Sequence, residues 1–273
     1  MKKKTIVLQL IVVFWVLLGY SLHGGNITVS DDQLSEPKTA SDETLERDLL
    51  FLGAKGQYYK VHSDLPFTGT AIASYPDGQK MSKETFKDGK REGIMTRWHD
   101  NGQKELERTY KDGEADGLSL VWYEDGLKSS ERTYKNGDLD GKCYSWHYEG
   151  QKRTEETYKD GKRVGTHTGW YPSGRIKFKQ TYPDGKRESW NEWHYNGQKL
   201  LEKTYQDGKE EGTWTYWHPP HRSQPWGPRW RERTYKDGRP EGIWTVWDST
   251  GGKIRESTYK DGKLIKEEKF DKK

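Results

Sequence analysis

Along most of this chain polar and aromatic residues alternate in short stretches, and each stretch stops at a turn dipeptide. The segment "TFKDGK" starts at residue 85, and near-copies of it start at 109, 133, 157, 181, 204, 234 and 258. Their aromatic members are Phe86, Tyr110, Tyr134, Tyr158, Tyr182, Tyr205, Tyr235 and Tyr259, with steps of 24, 24, 24, 24, 23, 30 and 24 residues. A fixed period in this range is the mark of a repeat array. Each unit holds two turn signals. One is the Asp-Gly or Asn-Gly after the aromatic, from Asp88-Gly89 to Asp261-Gly262. The other lies half a period away, as in Asp77-Gly78, Asn101-Gly102 and Asn196-Gly197. Both dipeptides tolerate positive φ at the centre of a hairpin turn. Two turns in 24 residues leave roughly eight residues per strand, an ordinary length. No apolar stripe of helical period survives between the turns. The pattern therefore predicts an all-β fold, an elongated single-layer antiparallel β-meander of about eight two-strand repeats.

The strands share an internal grammar. A Gly stands seven residues after the aromatic at Gly93, Gly117, Gly141, Gly165, Gly212 and Gly242, with Ser189 in the irregular unit. A Trp closes the same strand at Trp98, Trp122, Trp146, Trp170, Trp193, Trp217 and Trp247. Thr precedes the aromatic in every copy, and Glu stands three before it in six. Period-two alternation puts Thr and Glu on one face and Tyr on the other.

These residues resemble the bacterial MORN-variant repeats, whose multi-repeat proteins are often labelled YwqK-family toxin–antitoxin system antitoxins. The likeness rests on segments such as Trp98 to Lys104 and Glu107 to Gly117, and on the opening "LPFTGTAIASYPDGQ". It covers about residues 57 to 270 and implies a twisted β-meander of MORN-like repeats. The antitoxin label implies a cytosolic protein partner.

Composition fits a thin fold. Only 30% of the residues are hydrophobic and mean hydropathy is -1.20, yet there are 13 Trp and 17 Tyr. Apolar surface is carried by rings, each able to bury about 150–250 Å². One hairpin alone is marginal, so stacked units support each other through nearest neighbours. The Trp row and the Tyr row are expected to form an aromatic ladder that replaces a core. The same rings could also serve as a stacking platform for sugars or peptides.

Charge argues against nucleic acid. The 47 basic and 43 acidic residues are interleaved rather than gathered in a basic stripe. Phospholipid binding gains no support from the same mixed surface. Cys143 is the only cysteine and falls in a variable slot, where it reads as a filler.

Residues 1–25 stand apart. Three Lys after Met1 precede the uncharged run 5–22, the layout of an export signal. Its 18 residues also reach the lower limit for a spanning helix. Cleaved signal and membrane anchor both stand, so the chain is expected at the periplasm or cell surface, or tethered to the membrane by residues 5–22. Residues 26–56 begin with an acidic stretch lacking aromatics and read as a flexible linker. Residues 57–273 are the array, and "KLIKEEKF" reads as its closing edge strand.

No catalytic, metal or cofactor motif emerges. Acids and bases recur with the repeat, whereas a catalytic site occurs once. His99, His147, His194 and His218 follow the repeat Trp, but slots in successive repeats lie roughly 9–10 Å apart, too far to share a metal. The interval of 30 residues holds "WHPPHRSQPWGPRW", whose Pro residues cannot continue a central strand. The loop it forces carries His218, His221, Arg222, Trp226, Arg229 and Trp230, a candidate binding loop. The expectation is a non-enzymatic scaffold without cofactor that binds a protein or peptide at the cell envelope. A glycan-binding envelope protein and a toxin-neutralising antitoxin are the alternatives.

Overall fold

The computed structural model describes residues 44–53, 56–219 and 227–271. The expected signal or anchor and the linker up to residue 43 lie outside them. So do His221, Arg222 and Trp226 of the Pro-rich interval.

One 21-stranded sheet holds the array. From Gly69–Ser74 onward each strand pairs antiparallel with the next, ending at Lys263–Lys269. The exception to antiparallel pairing is Thr44–Glu46, which runs parallel beside Gly69–Ser74. The meander expected from the repeat is thus the observed topology.

The two turn signals build different turns. In the first, except at Asp184-Gly185, both central residues have positive φ, as at Asp112 (51°) and Gly113 (92°), which is the type I′ geometry of a two-residue hairpin. In the second, Gly alone is left-handed. At residues 99–103 the Gln103 carbonyl accepts from the His99 N–H at 2.8 Å, and the Gly102 N–H donates back to the His99 carbonyl at 3.0 Å. Here the Asn101 side chain accepts the Gln103 N–H at 2.9 Å, so Asn acts as a local cap rather than a positive-φ residue.

The Gly seven residues after the aromatic sits at a bulge. Gly165 has φ 69°, and across it the register jumps from Thr157 opposite Val164 to Glu155 opposite Thr168. The residue just before this Gly does a second job. The carboxylates of Glu92, Asp116, Asp140, Glu211 and Glu241 accept the turn N–H of Asp112, Asn136, Asp160, Asp237 and Asp261 at 2.8–3.2 Å. These five type I′ turns are thereby docked onto the preceding unit.

Register also fixes the faces. Thr96 lies opposite Glu107 and Trp98 opposite Lys104, while Met95 lies opposite Arg108 and Gly93 opposite Tyr110. Thr, Glu and Trp therefore share one face, and Tyr takes the other. The single aromatic ladder expected from the sequence is in fact two rows on opposite faces.

The N-terminal end carries the one buried apolar cluster described, formed by Leu50, Phe67, Ala71 and Phe86 with Leu45 and Tyr58 packed against it. Residues 44–52 lie inside the expected linker but are built into this cap as two short strands and a 3-10 turn. Leu45 and Leu50 supply apolar side chains there, which an acidic solvated linker has no use for. Beneath them Glu84 is buried and held from both sides, by Arg91 Nε at 2.7 Å and Arg47 Nε at 3.3 Å. Both guanidiniums also lie over the Tyr58 ring, at 4.8 and 5.1 Å. Replacing Glu84 by Gln leaves two cations facing each other without an anion. The expected loss is about 2–4 kcal/mol in urea unfolding. Lys186→Gln, at an exposed pair with Asp207, should cost under about 1 kcal/mol.

Candidate functional site

Each face carries its own set of interactions between units. On the Trp face, the Lys opposite the repeat Trp forms an ion pair with the Glu three residues on. Lys104–Glu107, Lys128–Glu131, Lys152–Glu155, Lys199–Glu202 and Lys253–Glu256 are separated by 2.6–3.1 Å. Several of the same Lys lie over the Trp of the next unit, from 5.4 Å at Trp146 to 5.9 Å at Trp122. The Trp rings are half-buried under these cations.

The residue after the Trp, or after Ser74 in the first unit, is a rung between units. Tyr75 donates its hydroxyl to the Trp98 carbonyl at 2.7 Å, Tyr123 to Trp146 at 2.7 Å and Tyr171 to Trp193 at 2.8 Å. His99, His147 and His218 do the same through Nε2, to the carbonyls of Trp122, Trp170 and Trp247 at 3.2, 3.0 and 3.5 Å. A carbonyl only accepts, so Nε2 carries the proton in each. Among the described residues no group of three His, Cys, Asp or Glu could hold a metal ion.

On the Tyr face, the ladder Tyr residues are separated by the residue two after the bulge Gly. This slot holds Met95, Ser119, Cys143 and His167 in the first half of the array, then Trp214 and Trp244. In the irregular unit Trp190 fills it, opposite Gln180 as His167 is from the other side. Cys143 is buried there, and burial pushes its thiol above the ordinary value. The Trp214 and Trp244 Nε1 donate to the Thr204 and Thr234 carbonyls, both at 2.9 Å. His167 imitates them, its Nε2 lying 3.0 Å from the Thr157 carbonyl. The rings then stack continuously from Tyr205 through Trp214, Tyr235 and Trp244 to Tyr259, with centroids 4.4–5.3 Å apart.

Cations alternate with these Trp. Lys203 lies opposite Trp190, and Arg233 lies opposite Trp214. Adjacent strands thus present Trp190, Lys203, Trp214, Arg233 and Trp244 in one row. Lys203 Nζ is 4.3 Å from the Trp214 ring centre and 5.0 Å from that of Trp190. Arg233 sits 4.6 Å over Trp244, and Arg231 sits 4.6 Å over Tyr216 and 4.2 Å over Trp230. Among the described residues no carboxylate lies within ion-pair distance of Lys203, Arg231 or Arg233. Burial pulls the Lys203 ammonium below its ordinary value. Glu210 opposes this, and Arg187, Arg231 and Arg233 add to it. Burial and the neighbouring Arg233 lower Arg231 in the same way. The Nε atoms of Arg231 and Arg233 and the Nε1 of Trp190 are buried without a hydrogen-bond partner.

The described residues of the candidate loop divide between scaffold and patch. His218 is a rung, and Arg229 takes the repeat Lys place, bonding Glu232 at 2.7 Å. Trp230 joins the Tyr-face cluster, 6.2 Å from Tyr216. The cationic row itself had a signal in the sequence, since Lys203, Arg231 and Arg233 precede a ladder Tyr by two or four residues.

This geometry meets one known family. The family model of the MORN repeat variant matches residues 91–112 and 139–160. Two stretches of the chain thus match a MORN-variant repeat. The two matched stretches each run from the end of one type I′ turn to the start of the next, and the same strand and turn pattern repeats outside them. MORN repeats are binding modules, which supports a repeat scaffold for a protein partner. No curated protein matches the chain.

His167 gives the ladder a dependence on pH. Burial holds its imidazole below the ordinary value, against the opposing pull of the Thr157 backbone. The unfolded chain therefore binds the proton first. Stability is intact above about pH 6.5 and falls as pH drops through that value. His167→Trp keeps the ring N–H and removes the titration. Thermal melts from pH 5 to 8 should show a smaller acid-side loss for this variant than for the native chain. Equal losses would contradict the assignment.

Proposed function

We propose that this MORN-repeat array is a non-enzymatic scaffold that holds a protein or peptide partner on the Tyr face of its sheet, at the cell envelope. The observation that carries the reading is the row of Lys203, Arg231 and Arg233, set among aromatic rings with no carboxylate at ion-pair distance among the described residues. Trp and Arg are the residues that most often anchor interfaces. A repeat surface used only as scaffold would balance its charges, as the Trp face does with its Lys–Glu pairs. Those paired Lys also cover the Trp rings, which makes that face the weaker platform for stacking a glycan. The envelope location rests on the basic start and apolar run of residues 2–22.

A photo-crosslinking amino acid placed at Tyr216 reports on the Tyr face, and one at Thr215 on the Trp face. In native cells the Tyr216 position should give a discrete protein adduct in the envelope fraction, and the Thr215 position little or none. Equal adducts from both faces, or none from either, would discard the reading.

A further inference from the structure

We propose that the partner engages this patch through an extended acidic segment with carboxylates at alternate residues, laid along strand Arg229–Lys236. The inference rests on the protein-binding reading above and names the chemistry of the segment bound.

The spacing argues for it. Arg231 and Arg233 are two apart on one strand and share a face, so their backbones are about 6.7 Å apart. Side chains at i and i+2 of an extended peptide have the same spacing and point the same way. Lys203 lies two strands away, roughly 9.6 Å across the sheet, and Arg255 lies two strands away on the other side. Arg255 is only loosely held by Glu267, at 3.9 Å. The segment would thus meet two guanidiniums directly, with a further cation on each flank.

The chemistry of the Arg pair points the same way. Each guanidinium has lost water to the rings beneath it, and each leaves its Nε without an acceptor. A carboxylate is the planar acceptor that a guanidinium fork matches with two parallel bonds. The sequence of the interval between 219 and 227 contains no Asp or Glu that could supply one.

Nucleic acid fits less well. Base stacking needs free ring faces. Here the rings from Tyr205 to Tyr259 are packed against each other, and the cations cover them. A phosphate chain also needs a basic stripe, and the acidic residues interleaved with the basic ones along this chain leave none.

The test titrates the full chain with labelled peptides and follows fluorescence anisotropy. The acidic probe is an octapeptide in which Glu and Thr alternate. Its controls are the neutral counterpart with Gln for Glu, a block peptide of the same composition with every Glu before every Thr, and an oligo-dT of matching length. Expected is binding of the alternating acidic peptide at least tenfold tighter than of the other three. Arg233→Gln and Arg231→Gln should each weaken it about tenfold, a step of about 1.4 kcal/mol per site. Arg132→Gln, in the same row but outside the patch, should leave it unchanged. Circular dichroism melts identify any variant that fails to fold, and Arg233→Lys, which keeps a charge over Trp244, should retain part of the affinity. Equal binding of the neutral peptide, tighter binding of oligo-dT, or no binding of the alternating acidic peptide would overturn the inference. A protein adduct at Tyr216 alongside any of these results would leave the scaffold reading standing.

Discussion

A sheet with water on both faces has no interior in which to hide its apolar surface, so it must be held by contacts between neighbours. That constraint shapes every repeat of this protein. Its Trp are half-buried beneath Lys, its Tyr are wedged apart by the slot residues, and its rung residues reach to the next Trp carbonyl. None of these contacts is large. Repeated at each step, they do the work that a globular domain assigns to its core.

The constraint also explains why variation is safe in some places and informative in others. Tyr and His alternate freely as rungs because both bring a ring N–H or O–H to the same carbonyl. The slot on the Tyr face is less uniform. Ser119 leaves room for Arg108, which bonds its hydroxyl at 3.1 Å and lies over Tyr134. Trp214 and Trp244 fill the space completely and force the cations to lie over them. The change from small to large slot residues leaves the cations of the later units over indole rings instead of bonded to a slot hydroxyl.

Much of this was legible in the chain. The period, the turn dipeptides and the alternation of Thr with Tyr were enough for the meander and its two faces. Three things were not. Asp-Gly and Asn-Gly look alike in both turns, yet only backbone bonding shows which Asn is left-handed and which is a cap. Glu92 and its equivalents looked like solvated charge, because an acceptor for a turn 20 residues away leaves no local pattern. The cap at residues 44–52 was lost in an acidic neighbourhood, where Leu45 and Leu50 are isolated apolar positions without a period. The patch was half visible. The Pro-rich interval stands out because the period breaks there, while the cationic row keeps the period and changes only what fills it.

The carboxylates that precede five of the bulge Gly point one way along the array, each accepting from the turn of the unit that follows. The protein therefore has a polarity unrelated to its charge. Five units lean on their predecessors in this way, and the first leans on Thr68, whose hydroxyl accepts from the Asp88 N–H at 2.8 Å. Removing the last unit takes no acceptor from any remaining turn, whereas removing the first strips the next of its acceptor. Such an array can lengthen or shorten at its C-terminal end without disturbing what came before, and its N-terminal cap is the fixed point from which the rest is counted.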